Sequence, residues 1–229
     1  LADLIELLSS ESRVKLVRLL GRSFDVEALP ELDEAVRDDL MEALPNEAIA
    51  AAIRRLDTDD ALYLIENLDE VDRQEILDKL PKIDREALRR ALDFPEGAAG
   101  RLMKTEFVAI PAFWSVGQTI DYMRETVELP DEFVEVYVID PAFHLAGSVP
   151  LSRILRSRRE VAVSDLMETD HTVFKVTDEQ EEVAYKFAQY NLVSAAVTDD
   201  EGRLVGMLMV DDVVEVMNEE AQQDMLRLG

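Results

Sequence analysis

The chain has 229 residues, a length for one or two domains, and 48% hydrophobic content, enough for real cores. Fifty acids against 24 bases leave a net charge of −26, which repels nucleic acid and anionic lipid and leaves basic proteins, polycations and divalent metals as partners. With no cysteine there is no disulfide, thiolate metal site or cysteine nucleophile. No apolar run approaches the roughly 18 residues that span a bilayer, and no signal peptide is visible. The chain reads as soluble, and its first residue, Leu1, suggests a piece of a longer protein.

Residues 1–95 read as all-helical. Leucines recur every twelve positions at Leu20, Leu32, Leu44, Leu56, Leu68, Leu80 and Leu92. Each is followed by a residue that breaks or caps a helix: Gly21, Asp33, Pro45, Asp57, Asp69, Pro81 and Asp93. Asp57 with Asp60, and Asp69 with Asp72, have capping spacing. Short amphipathic segments lie between the breakers, so the spacing predicts helices of two or three turns stacked as a small solenoid. An ordinary helical bundle is the alternative.

The second half is different. "EFVAI", "FVEVYVID", "SAAVTD" and "LVGMLMV" are strand-like and alternate with helical patterns. Arg101–Val116 aligns with Asp165–Gln180 at an offset of 64, pairing Leu102-Met103 with Leu166-Met167 and Thr105 with Thr169. Val138–Gly147 aligns with Val197–Gly206 at an offset of 59. Each copy is therefore an LM-x-T opening, a strand, a helix, two strands around a turn, and a closing helix. "DDEGRLVG" is a strong hairpin signal, with Gly202 free to take positive φ. The closing segment, "VDDVVEVMNEEAQQD" (Val210–Asp224), holds six acids and no base. Such acids repel one another at helical spacing.

The tandem of LM-x-T, then strand-D-x-x-G-x-L-x-G, then an acidic helix resembles a CBS-domain pair. Together with the short-helix N-terminal region, "FPEGAAGRLMKTEFVAI" and "DEQEEVAYKFAQYNL", the chain resembles the cytosolic region of the MgtE family of magnesium channels and transporters. The resemblance implies an all-α superhelical N-terminal domain over 1–95, then an α+β CBS pair with copies at 96–159 and 160–229. It also implies a homodimer through the CBS pair and a C-terminal transmembrane domain on the same polypeptide. Mg²⁺ would bridge acidic interdomain surfaces at the cytoplasmic face of the membrane and favour the closed state.

The metal-ligating positions implied by the resemblance are Asp59, Glu181, Ala188, Asn191, Asp212, Glu215, Glu220, Gln223 and Asp224. Ala188 would act through its backbone or a water. Asn191 stands where the family has an Asp, and Tyr63 where it often has a second one. Arg101 would also act through its backbone, and a cation there is a departure. Mg²⁺ takes oxygen ligands, keeps several waters and needs only one or two carboxylates, so scattered acids on opposing faces suffice. The same residues also describe a solvated acidic helix face, and Asp59 equally suits the first turn of a helix and its dipole.

An adenine nucleotide is the rival ligand implied by the CBS resemblance, with Asp211 in Met209-Val210-Asp211-Asp212 as the ribose-binding acid. That stretch lacks the family's hydroxyl, and Pro150-Leu151-Ser152-Arg153 of the first copy lacks the acid as well. A soluble protein-interaction module is the third reading. Phe113 and Trp114 read as packing residues, the methionines as core fillers, and "LRSRRE" (Leu155–Glu160) as an intramolecular counterweight to acids. No P-loop, nucleophile elbow or H-E-x-x-H occurs, and two isolated histidines make no zinc site, so the chain reads as a non-enzyme.

Overall fold

The computed structural model describes residues 1–130, 132–214 and 216–217. It divides into two compact units, the first Leu1–Asp93 and the second beginning at Phe94.

In the first unit the twelve-residue period is the helix repeat. The helices are α1 (Ala2–Glu6), α2 (Ser10–Leu20), α3 (Glu34–Ala43), α4 (Asn46–Ile53), α5 (Thr58–Ile65), α6 (Glu70–Lys79) and α7 (Lys82–Asp93). Two 3₁₀ turns, Gly21–Ser23 and Val26–Ala28, fill the space between α2 and α3. Gly21 ends α2 at φ 50°, Asp33 caps α3 by accepting from the Ala35 N–H, and Asp69 caps α6 by accepting from Val71 and Asp72. Pro45 and Asp57 hold the N-cap positions of α4 and α5, and the Pro81 carbonyl accepts the Arg85 N–H at the start of α7.

The repeated leucines all pack into one core: Leu32 and Leu80 are buried, the other five partly so. Helices this short are marginal alone, so tertiary packing must hold them. α4 packs on α6 and α5 on α7, each on its second neighbour, which is the stacking of a superhelix.

The second unit contains α8 (Ala99–Leu102), β1 (Ala109–Pro111), α9 (Val116–Glu125), β2 (Glu135–Ile139), β3 (Leu145–Pro150) and α10 (Leu151–Arg156). Then come β4 (Val173–Lys175), α11 (Gln180–Tyr190), β5 (Ser194–Thr198) and β6 (Leu204–Met209), with helix again at 210–214 and 216–217. Two three-stranded sheets form, β1-β2-β3 and β4-β5-β6. In each, the first strand pairs parallel with the second and the second antiparallel with the third. Both hairpins carry a register irregularity at the equivalent point, Val138/Ile139 and Val197/Thr198. The offsets of 64 and 59 read from the sequence map one copy's strands onto the other's.

The LM-x-T openings tie the copies together. Lys104 exchanges both backbone hydrogen bonds with Met207, at 2.8 and 2.9 Å. Its counterpart Glu168 does the same with Ser148, at 2.8 and 3.0 Å. Each opening therefore adds a bridge to the edge of the other copy's sheet. Glycine is needed opposite: a Cβ on Gly147 would meet the Glu168 carbonyl oxygen at 2.6 Å, and one on Gly206 would meet Met103 Sδ at 2.6 Å and the Lys104 carbonyl oxygen at 2.8 Å.

The hairpin tips dock reciprocally as well. Leu145 N–H donates to the Gly202 carbonyl, and Leu204 N–H to that of Phe143. Two sequence expectations are corrected here: Phe113 is 78% exposed rather than packed, and Met217 is 43% exposed rather than core. Trp114 does pack, edge-on against Tyr122. Met225 lies outside the described residues.

Candidate functional site

The acidic closing helix begins directly after β6, where Val210 N–H donates to the Val193 carbonyl at 3.0 Å. Val213 and Val216 are buried, which turns Asp211 outward and leaves Asp212 at the edge of the packed face. Asp211 is exposed, whereas the Asp212 side chain is 18% exposed and lies 3.6 Å from the Lys104 ammonium. Opposite charges at about 4 Å attract by roughly 4 kcal/mol in a surface-like dielectric, before desolvation reduces the net.

Lys104 occupies the variable position of the first LM-x-T, and Asp212 lies on the exit helix of the second copy. Their counterparts at the same offsets are Glu168 and Arg153, which also form an ion pair. The two junctions are thus equivalent, with the charges exchanged. The signal for this pair is in the sequence: the variable residue is Lys in one opening and Glu in the other, and the exit positions are Asp and Arg.

The other expected ligands lie on two elements. Glu181 is exposed in the first turn of α11, where Glu182 rather than Glu181 is paired with Lys186 at 2.7 Å. Ala188 is exposed on the same helix. Asn191 is the left-handed C-cap of α11 at φ 52°, a conformation Asn tolerates better than most residues, so its identity also has a backbone reason. Asp59 occupies the first turn of α5 in the N-terminal unit. Glu215, Glu220, Gln223 and Asp224 lie outside the described residues. Tyr63 has its own use: the Arg37 guanidinium, 2% exposed, lies 4.1 Å from its ring centroid.

Among the described residues, no three acids or histidines form a ready-made metal cluster. The donors are nevertheless carboxylate, amide and carbonyl oxygens, the class Mg²⁺ takes, and Asp212 already lies against a cation. The donor chemistry fits a hard divalent ion that keeps several of its waters.

Further polar residues escaped sequence reasoning. Glu135 accepts from Ser194 Oγ at 2.9 Å and from Ser148 Oγ at 3.3 Å, joining the two sheets. Burial, then the nearby Glu135 charge, push the Tyr137 phenol well above its ordinary range. At the hairpin turns, Asp140 accepts from the Ala142 and His144 N–H groups and contacts the His144 ring at 3.0 Å. Asp199 repeats this with Glu201 and Arg203. The basic cluster is a counterweight in part, with Arg159 bound to Asp121 at 2.6 Å.

A helical superhelix followed by two copies of a strand–helix–strand–strand–helix unit, joined by crossed openings, defines an N-domain-plus-CBS-pair protein. The MgtE intracellular N domain family matches residues 1–97, and the CBS domain family matches residues 163–219. The magnesium transporter MgtE of Thermus thermophilus is 33% identical over 144 residues, which take in 63% of this chain and 31% of that protein. That of Enterococcus faecalis is 29% identical over 137 residues, 60% of this chain and 30% of that protein. The match to these relatives therefore spans about a third of their length.

The fold resembles a crystal structure of the cytosolic domain of the Mg²⁺ channel MgtE in complex with ATP, at TM-score 0.72 and 24% identity, covering 94% of this chain and 93% of that one. It also resembles the soluble part of a magnesium transporter, at TM-score 0.70 and 23% identity, covering 92% and 94%. The chain is thus similar to the MgtE magnesium transporters, with an MgtE-type N domain over residues 1–97 followed by a CBS pair. Among the described residues no helix is long and apolar enough to cross a membrane.

Proposed function

We propose that this chain is the Mg²⁺-sensing, gating region of a magnesium transporter, with its parts at 1–95, 96–159 and 160–229. In this reading it has no enzymatic role, dimerises through the CBS pair, and lies at the cytoplasmic side of the membrane, attached to a transmembrane domain of the same polypeptide. Asp59, Glu181, Asn191, Asp212, Glu215, Glu220, Gln223 and Asp224, with the Ala188 backbone, would hold the metal.

The observation that carries this reading is the excess of acids over bases in the chain as a whole, 50 against 24. Lys104 neutralises Asp212, but 24 bases cannot answer 50 acids. Like charges across an interface oppose docking, and a divalent ion between them reverses the sign. A ligand that binds only the docked state shifts the equilibrium by its differential affinity, and several weak sites multiply the effect.

The test compares melting temperature and small-angle scattering in millimolar MgCl₂ and in NaCl of equal ionic strength. Mg²⁺ should raise the melting temperature and compact the protein beyond the NaCl effect, and superimposable curves would defeat the reading. Replacing Asp212, Glu215 and Glu220 with Asn or Gln should blunt the response.

An adenine nucleotide is the second reading, favoured by the ATP complex of the structural relative and by the exposed Asp211 at the β6 exit. It requires calorimetric ATP or AMP binding that is lost in Asp211→Ala. Absence of binding heat with and without Mg²⁺ removes it.

A further inference from the structure

The N-terminal unit contains a cleft of about 1010 Å³ between α2, the 3₁₀ turns and α4. This is at the upper end of the size of small-molecule pockets. Its floor is apolar and buried: Val17, Phe24, Val26, Leu29, Ile49 and Ala52. Arg18 and Arg55, both exposed, also line it. Arg18 Nη2 donates to the Ala43 carbonyl at 3.4 Å, and Arg55 Nη1 donates to the Phe24 carbonyl at 3.0 Å. Each contact links two walls of the cleft and uses one nitrogen of a guanidinium that carries five N–H donors.

In a chain with 50 acids, neither of these arginines has a carboxylate within 4.0 Å among the described residues. Two guanidiniums without a carboxylate within 4.0 Å among the described residues, lining one apolar cleft, complement an anionic head on an apolar body. The forked donors suit a carboxylate. The overall charge of −26 favours a monoanion over a dianion, which would be repelled more strongly.

We infer that this cleft binds a medium-chain monocarboxylate, with its alkyl chain on the apolar floor and its carboxylate at Arg18 and Arg55. The site is independent of the metal-sensing reading. The experiment is calorimetric titration of the 229-residue chain with decanoate below its micellar concentration.

Saturable one-to-one binding is expected, weakened at least tenfold in the Arg18→Gln/Arg55→Gln variant. Decan-1-ol, decyl phosphate and decyltrimethylammonium should each bind at least tenfold more weakly. Ala48→Trp, an exposed lining position, should block the cleft while leaving the far-ultraviolet circular dichroism unchanged. If that variant does not fold, Ala51→Glu puts a repelling carboxylate on the same lining and should abolish binding. Absence of saturable heat, equal binding of the cationic amphiphile, tighter binding of decyl phosphate, or full affinity in a folded lining variant overturns the assignment.

Discussion

The two CBS copies share one backbone and differ in chemistry. Their strands, irregularities, turn acids and crossed openings coincide at constant offsets. Yet the first copy leaves its sheet through Arg153 and the second through Asp212, and the opening residues that meet them are Glu168 and Lys104. The first hairpin turns through Phe143 at φ 67° and the second through Gly202 at φ 79°. Geometry is thus kept by glycines and backbone bridges, while the charges are free to diverge. The second exit runs on into acids, whereas the first runs on into arginines.

The largest expected effect comes from breaking the charge exchange. Lys104→Glu would set two carboxylates face to face at a junction where both side chains are under 20% exposed, 15% and 18%. It should cost about 3 kcal/mol in urea unfolding. The double variant Lys104→Glu/Asp212→Lys, which gives this junction the polarity of the first, should recover most of that loss.

Next come the close approaches. Gly147→Ala forces Cβ against a backbone oxygen and should cost about 2–3 kcal/mol. Gly206→Ala meets a movable methionine sulfur first and should cost about 1–2 kcal/mol, although the Lys104 carbonyl also crowds it. Equal losses at the two glycines would show that the Met103 side chain cannot yield. Smaller still is Gly202→Ala: nothing lies within 4 Å of the new Cβ, so only the positive φ opposes it, at about 1 kcal/mol. Phe143→Gly should change stability by less than that and in the opposite direction.

The smallest effect is set by pH. Hydrogen bonds from the His144 side chain and backbone hold Asp140 below the ordinary carboxylate range. At Asp199 burial works upward, but backbone and side-chain bonds from Arg203 outweigh it. A depressed carboxylate stabilises the fold above its unfolded pKa, about 4. Its contribution fades as pH falls through the lower folded value. Melting temperature should therefore decline below about pH 4, and Asp140→Asn/Asp199→Asn should flatten that decline. An unchanged acid profile in the double variant would locate the acid sensitivity elsewhere.

Much of this was legible from local pattern. The leucine period marks the helix ends because each breaker acts within a turn of itself, and the 64- and 59-residue offsets mark the strands because strand alternation and turn residues are also local. Phe113 misled because an aromatic beside a helix start carries no record of which way it faces. Asn191 read as a ligand standing where the family has an Asp, and only its left-handed backbone supplied a second reason for it.

By itself, then, the sequence determined two repeating units, their elements, and an acid excess that internal cations cannot meet. The tertiary structure decided what those residues face. Lys104 meets Asp212 across 108 positions of chain because the openings cross between copies, and Gly147 and Gly206 are small because another backbone lies against them. The reason is physical: propensity and periodicity act over a few residues, whereas contact partners are fixed only when distant segments close on one another.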